Sequence, residues 1–169
     1  MLQLDVGMLK KAPGDFQPFN LSAVLPSFEL QGESMNFPGP VKANLVATNN
    51  DSTIVVEGEV SGKLTLNCSR CLDTYDYIFE VPFRETYAQA SQDNEGEVVS
   101  FSGDILDITP EVLNSIILSL PMKALCREDC EGLCPRCGCN LNKSRCDCSN
   151  EETDPRFSVL KKLLKDTNQ

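Results

Sequence analysis

From Val41 onward hydrophobic residues recur at every second position, and the alternation comes in blocks. Val41, Ala43, Leu45 and Ala47 alternate with Lys42, Asn44, Val46 and Thr48, the period of a strand with one face buried and the other in water. Asn49, Asn50 and Asp51 then supply a turn, because their short side chains bond back to the local backbone. Ile54, Val56, Gly58 and Val60 make the next block, Ser61 and Gly62 read as a second turn, and Leu64, Leu66 and Cys68 form a third strand sharing one face. In the fourth block Tyr75, Tyr77, Phe79, Val81 and Phe83 alternate with Thr74, Asp76, Ile78, Glu80 and Pro82. Such short connections predict an antiparallel meander. Pro82 has no N–H to give to a ladder, so the last strand should lie at an edge or end near a bulge.

The flanking segments are less regular. Pro13, Gly14, Pro18, Pro26, Pro38 and Gly39 interrupt everything before Val41. Leu2, Leu4 and Val6 alternate as a short edge strand would, and Leu21 to Leu25 read as a helical turn cut off by Pro26. Val98, Val99 and Phe101 suggest one more short strand. Thr109 as N-cap, Pro110 at the first helical position and Glu111 in the first turn announce a helix. Its apolar positions Val112, Leu113, Ile116, Ile117 and Leu120 predict packing on the apolar face of the sheet, and Pro121 ends it. Asp154 and Pro155 repeat the start signal for a short amphipathic helix carrying Phe157, Leu160, Leu163 and Leu164 on one face. The expected class is therefore α+β: an antiparallel sheet covered by a helix (1–122), a cysteine-rich knuckle (123–150) and a C-terminal helix (151–169).

Composition narrows the chemistry. With 169 residues, 41% of them hydrophobic, the chain can bury one moderate core. Its formal charge of −10 argues against a broad basic surface for nucleic acid. The stretch from Arg84 to Lys123 contains no basic residue between its ends, while Glu85, Asp93, Glu95, Glu97, Asp104, Asp107 and Glu111 are acidic. Such a run is either a solvated loop and helix start or a docking surface for a basic partner. No apolar run is long enough to cross a bilayer and the first residues lack a leader pattern, so a cytoplasmic location and no membrane partner are expected. The chain has no histidine, which removes Cys-His and Ser-His nucleophile pairs and mixed Cys/His metal sites.

Nine cysteines remain to be explained, an odd number in a compartment that keeps thiols reduced, so a disulfide framework is disfavoured and metal binding leads. Seven of the nine fall between Cys126 and Cys148, in a stretch with few large apolar side chains. Cys134 and Cys137 enclose Pro135 and Arg136 and precede Gly138. That spacing brings two sulfurs to one ion at about 2.3 Å, with a glycine free to take positive φ beyond them. Cys146 and Cys148 supply the second pair of a closed four-thiolate site, and a closed site is structural because it leaves no position for water or substrate. Cys68, Cys71, Cys126 and Cys130 make one arrangement for a second site, although spacing specifies ligands and not their partners. Cys68 and Cys71 are equally well read as small buried core residues. A thioredoxin-like redox pair is disfavoured there, because Leu72 to Phe83 reads as turn and strand rather than helix. Zinc is preferred, and an iron–sulfur cluster would use the same ligands. Cys139 is the odd thiol, packed or unligated.

These residues resemble those of the YceD family, the large ribosomal RNA subunit accumulation proteins. The resemblance takes in Cys68-Ser-Arg-Cys71-Leu72, Arg84-Glu85-Thr86-Tyr87, Leu118-Ser119-Leu120-Pro121, and Asp129-Cys130-Glu131-Gly132-Leu133-Cys134-Pro135. It continues through Cys137-Gly138, Asn140-Leu141-Asn142, Cys146-Asp147-Cys148 and Asp154-Pro155-Arg156. It implies a noncatalytic factor in large-subunit ribosome biogenesis that supports accumulation or processing of 23S ribosomal RNA. The partners implied are a ribosomal RNA precursor, a large-subunit ribosomal protein or an assembly factor, with no small-molecule substrate. Some family members lack the C-terminal cysteines, which implies that the knuckle supports the structure, and the family pattern does not call for a cysteine at Cys139. Direct RNA contact is expected where Lys123, Arg127, Arg136, Lys143, Arg145, Arg156, Lys161, Lys162 and Lys165 gather. The competing readings are a protein adaptor that docks a ribosomal protein through the acidic segment, and a thiol redox sensor.

Overall fold

A computed structural model describes residues 1–30, 32–89 and 98–148. The helix expected at 151–169 and the acids Asp93, Glu95 and Glu97 lie outside the described residues. The chain forms two compact units. One comprises Met1–Cys68 and Asp73–Cys126, the other Ser69–Leu72 and the chain from Arg127 onward.

The first unit is built on strands β1 (Gln3–Asp5), β2 (Phe16–Ala23), β3 (Phe28–Leu30), β4 (Glu33–Met35), β5 (Val41–Asn50), β6 (Thr53–Asn67), β7 (Thr74–Gln89), β8 (Val99–Phe101) and β9 (Ile105–Asp107), followed by helix α1 (Thr109–Ser119). Its main sheet has the order β2-β5-β6-β7-β8. The first four strands are antiparallel neighbours, as the alternation predicts, whereas β8 runs parallel to β7, so the sheet is mixed. Two small pairs flank it, β1 with β9 and β3 with β4. No helix among the described residues is long and apolar enough to cross a membrane.

The core follows directly from strand parity. Odd positions of β5 (Val41, Ala43, Leu45, Ala47), even positions of β6 (Ile54, Val56, Val60, Leu64, Leu66) and odd positions of β7 (Phe79, Val81, Phe83, Tyr87) are all buried. Leu2, Leu4 and Val6 of the N-terminal segment join the same cluster, as do Leu106, Ile108, Val112 and Ile116 from the β9–α1 region. The N-terminal strand is fixed there by polar bonds as well: the Leu2 N–H donates to Thr109 Oγ1 at 2.8 Å. Helix α1 packs against β7.

Three local expectations are corrected. Ser61 and Gly62 do not turn; β6 runs through them without a break, with Ser61 paired to Glu80 and Gly62 to Phe79. The glycine is a space, not a turn: a Cβ on Gly62 would come within 2.8 Å of the Phe79 ring. Leu21 to Leu25 is not a helical turn either, because Phe19 and Leu21 are paired with Leu45 and Ala43 of β5, and ladder bonds along β2 outweigh a single helical turn. Pro18 is tolerated in β2 since that strand is a sheet edge. Thr109 is the first residue of α1 and not its cap; the cap position is Ile108, which has no side-chain oxygen, and the Thr109 N–H donates instead to Asp107 Oδ1 at 3.0 Å. Pro82 sits as expected, since β8 covers β7 only at Tyr87–Gln89 and leaves the stretch around the proline as an edge.

Gly58 is the tightest point of the sheet. It has a φ of 153°, and a Cβ there would lie 2.1 Å from the Asn44 carbonyl oxygen, a backbone atom that cannot swing aside. We expect Gly58→Ala to lower stability by about 1–3 kcal/mol or more, read as a drop in thermal midpoint.

A second weak point lies where α1 meets β7. Tyr87 Oη and Glu111 Oε2 are buried side by side without a well-formed hydrogen bond. Burial pushes the Glu111 carboxyl above its ordinary value of 4.5, with Glu85 and Asp107 adding to the shift and a backbone hydrogen bond opposing it. A carboxyl that holds its proton more tightly when folded favours the folded state at low pH, and that contribution is lost as pH rises from 4.5 through the folded value. Glu111→Gln should therefore raise the thermal midpoint at pH 7, and the gain should vanish toward pH 4. An equal gain at both pH values would show that charge is not the cause.

Candidate metal centres

Four cysteines, Cys134, Cys137, Cys139 and Cys146, have sulfurs lying within 4.8 Å of one another, an arrangement that could hold a metal ion; of the other expected set, Cys68 and Cys126 belong to the first unit and Cys71 and Cys130 to the second. No disulfide joins any of the nine. Cys68 follows β6, and its N–H donates to the Asp73 carbonyl at 2.9 Å, closing the turn. Beside it, Tyr75 is raised in pKa, chiefly by burial and then by the negative charge of Cys68 and Cys126.

The group of Cys134, Cys137, Cys139 and Cys146 lies wholly in the cysteine-rich unit, and short-range backbone bonding explains why it converges. Leu133 bridges Asn140, the Cys134 N–H donates to the Cys139 carbonyl at 2.8 Å, and the Gly138 N–H donates to the Cys134 carbonyl at 2.9 Å. These bonds fold residues 133–140 into a tight hairpin. Gly138 takes a φ of 72° at its bend, the left-handed conformation that suits glycine. Gly132 does the same at 78°, where its missing side chain leaves room for the Arg70 carbonyl, which in turn accepts the Leu133 N–H at 3.1 Å.

The hairpin also aims donors at sulfur. The Cys134 thiol is drawn down to about 6 by hydrogen bonds from the backbone N–H groups of Cys137 and then Arg136, with the Cys146 thiol adding to them. Cys137 is lowered as well, first by the Cys139 backbone N–H. Cys139 is pushed up to about 12 by sharing its proton first with Cys137 and then with Cys146. Cys148 is likewise pushed up to about 12, first by the hydrogen bond to Cys137, then by burial and by a bond to Cys146. Thiolate character thus concentrates on the Cys134–Cys137 pair. Thiolates stabilised by backbone N–H groups are what a zinc or iron ion requires, so this donor set fits such an ion.

Among the sequence-predicted ligands, Cys134, Cys137 and Cys146 come together, with Cys148 hydrogen-bonded to two of them. Cys139, set aside in the sequence reading, stands inside the four-sulfur group. The signal for it was Gly138, whose bend turns residues 137 and 139 toward the same side.

The Asn140-Leu141-Asn142 motif gave Asn142 no role of its own. Its Oδ1 accepts the Glu131 N–H at 2.9 Å and an Arg127 guanidinium N–H at 2.6 Å, while its Nδ2 donates to Cys130 Sγ at 3.3 Å and to Asn140 Oδ1 at 2.9 Å. One side chain therefore ties both flanks of the cysteine-rich unit to a sulfur.

The profile described as large ribosomal RNA subunit accumulation protein YceD matches residues 56–164. An uncharacterized protein of Mycobacterium tuberculosis is 30% identical over 119 residues, covering 66% of this chain and 56% of that protein. The uncharacterized protein YlbN of Bacillus subtilis is 29% identical over 133 residues, 77% of each chain. The chloroplastic large ribosomal RNA subunit accumulation protein YCED homolog 1 of Arabidopsis thaliana is 26% identical over 161 residues, 77% of this chain and 50% of that one. The chain thus spans about half the length of the mycobacterial and plant relatives. No solved structure matches it. The profile takes in most of β6, all of β7 and α1, and all nine cysteines, well over half of the sequence, and on that extent this chain belongs to the YceD family.

Proposed function

We propose that this protein is a noncatalytic factor in large-subunit ribosome biogenesis that supports the accumulation of 23S ribosomal RNA, and that the Cys134, Cys137 and Cys146 centre is a structural zinc site. Family membership carries the first part, together with the name printed for the plant relatives. The second part rests on a donor set made of sulfur alone: four thiolates close a tetrahedral ion and leave no position for substrate or water. The absence of histidine argues the same way, because no ordinary general base near neutral pH is present in the sequence.

RNA is the favoured partner over a basic ribosomal protein bound through the acidic segment. Among the described acids of that segment, Asp104 is paired with Lys10 at 3.0 Å, Asp107 accepts the Thr109 N–H at the start of α1 and Glu111 is turned toward Tyr87. These three make contacts within the first unit. In the cysteine-rich unit Arg127, which also pairs with Asp129 at 3.3 Å, lines one open depression of about 300 Å³ together with Lys143 and Arg145, with Glu131 the single acid on its wall. Cations gathered on one concave surface are what phosphate contact needs.

Depletion of the protein from its host should lower mature large-subunit RNA and the large-subunit peak in a sucrose gradient, with the small subunit spared. Unchanged profiles would remove the assignment. For the metal, Cys134→Ser should release one zinc per chain and unfold the cysteine-rich unit, since structural zinc contributes roughly 10–16 kcal/mol in small fingers. The sheet unit, which has its own core, should keep its far-ultraviolet signal and its cooperative thermal transition.

A further inference from the structure

Five thiols converge on a centre where a tetrahedral ion takes four. Cys134, Cys137, Cys139 and Cys146 satisfy the mutual distance of 4.8 Å, and Cys148, outside that group, hydrogen-bonds to two of its members, Cys137 and Cys146. What distinguishes the two extra thiols is that they share partners. Cys139 hydrogen-bonds to Cys137 and Cys146, and Cys148 hydrogen-bonds to Cys137 and Cys146. Each therefore sits within reach of the same edge of the coordination shell, one arriving from the hairpin after Gly138 and the other from the irregular segment after Asp147. Both are partly exposed, so neither is locked in place by packing.

We propose that Cys139 and Cys148 are interchangeable fourth ligands of a single thiophilic divalent cation held by Cys134, Cys137 and Cys146. This rests on the reading of the group as a metal centre. In the exchange a bond from the ion to Cys148 Sγ forms while the bond to Cys139 Sγ breaks. The incoming thiol gives up its proton and the departing thiolate takes one, so the charge of the centre is unchanged and no oxidant or reductant is involved. A d¹⁰ ion such as zinc imposes no electronic preference among ligand positions and passes through five-coordination readily, which keeps such a swap open. The result is a centre that tolerates loss of either outer ligand, with one thiol always left over at the protein surface.

The test compares the zinc-loaded full chain with Cys139→Ser, Cys148→Ser and the double variant, counting metal per chain after gel filtration and recording thiolate-to-cobalt absorption after cobalt replacement. Each single variant should hold as many ions as the parent protein and keep the tetrahedral cobalt bands, and the double variant should lose one ion per chain. Loss of an ion from either single variant, or its retention in the double, would overturn the exchange. A parent chain that binds neither zinc nor cobalt would remove the metal-centre reading itself, and the exchange with it. Brief alkylation of the zinc-loaded parent protein needs no variant: it should label Cys139 on some molecules and Cys148 on others, and labelling confined to one of the two would count against the proposal.

Discussion

All 15 residues of β6 are paired with β7, from Thr53 opposite Ala88 to Asn67 opposite Thr74. The rest of the first unit depends on that ladder. In an antiparallel pair the register fixes which face each side chain occupies, and a slip of one residue would turn every apolar side chain to water. Here the register places Val60 opposite Val81 and Leu64 opposite Tyr77. The same ladder gives β5 a straight edge to pair against and gives α1 the apolar surface of β7 to cover. The ladder ends at Asn67, immediately before Cys68.

The cysteine-rich unit is ordered by different forces. Its described residues include few large apolar side chains, and burial at about 25 cal/mol per Å² has little area to act on. In place of a core it has a hairpin of backbone bonds around Gly138, the Arg70 carbonyl and guanidinium bonded to Leu133 and Cys130, and the amide of Asn142. The same N–H groups that close the hairpin lower the thiols of Cys134 and Cys137. Local folding and ligand chemistry are thus one set of interactions, which is why the spacing of so few residues is informative.

Much of this was legible because period-two alternation survives any tertiary context that buries one face. Strands β5, β6 and β7 follow it residue by residue. Ser61-Gly62 misled because it has turn composition, but the parity of Ile54, Val56 and Val60 carries on unbroken through Leu64 and Leu66, which a two-residue turn would not require. The helical turn at Leu21 was misread for a complementary reason: β2 alternates weakly in sequence and becomes a strand through its partner. At the site, the pairs Cys134–Cys137 and Cys68–Cys71 were visible as spacing. The place of Cys139 and the reach of Asn142 were not, since both depend on how Gly132 and Gly138 bend the chain.

Gly58 and Gly62 both stand where the chain has no room for a side chain, yet the obstacles differ in kind. Gly62 faces the ring of Phe79, which is itself a variable of the sequence, whereas Gly58 faces the carbonyl of Asn44, which every residue at position 44 would carry. Among chains that share this sheet, positions 62 and 79 should therefore co-vary, a larger residue at one accompanying a smaller residue at the other. Position 58 has no such partner to trade with. The two glycines, four residues apart on one strand, would then leave opposite marks on the family's diversity: one a correlated pair, the other an invariant column.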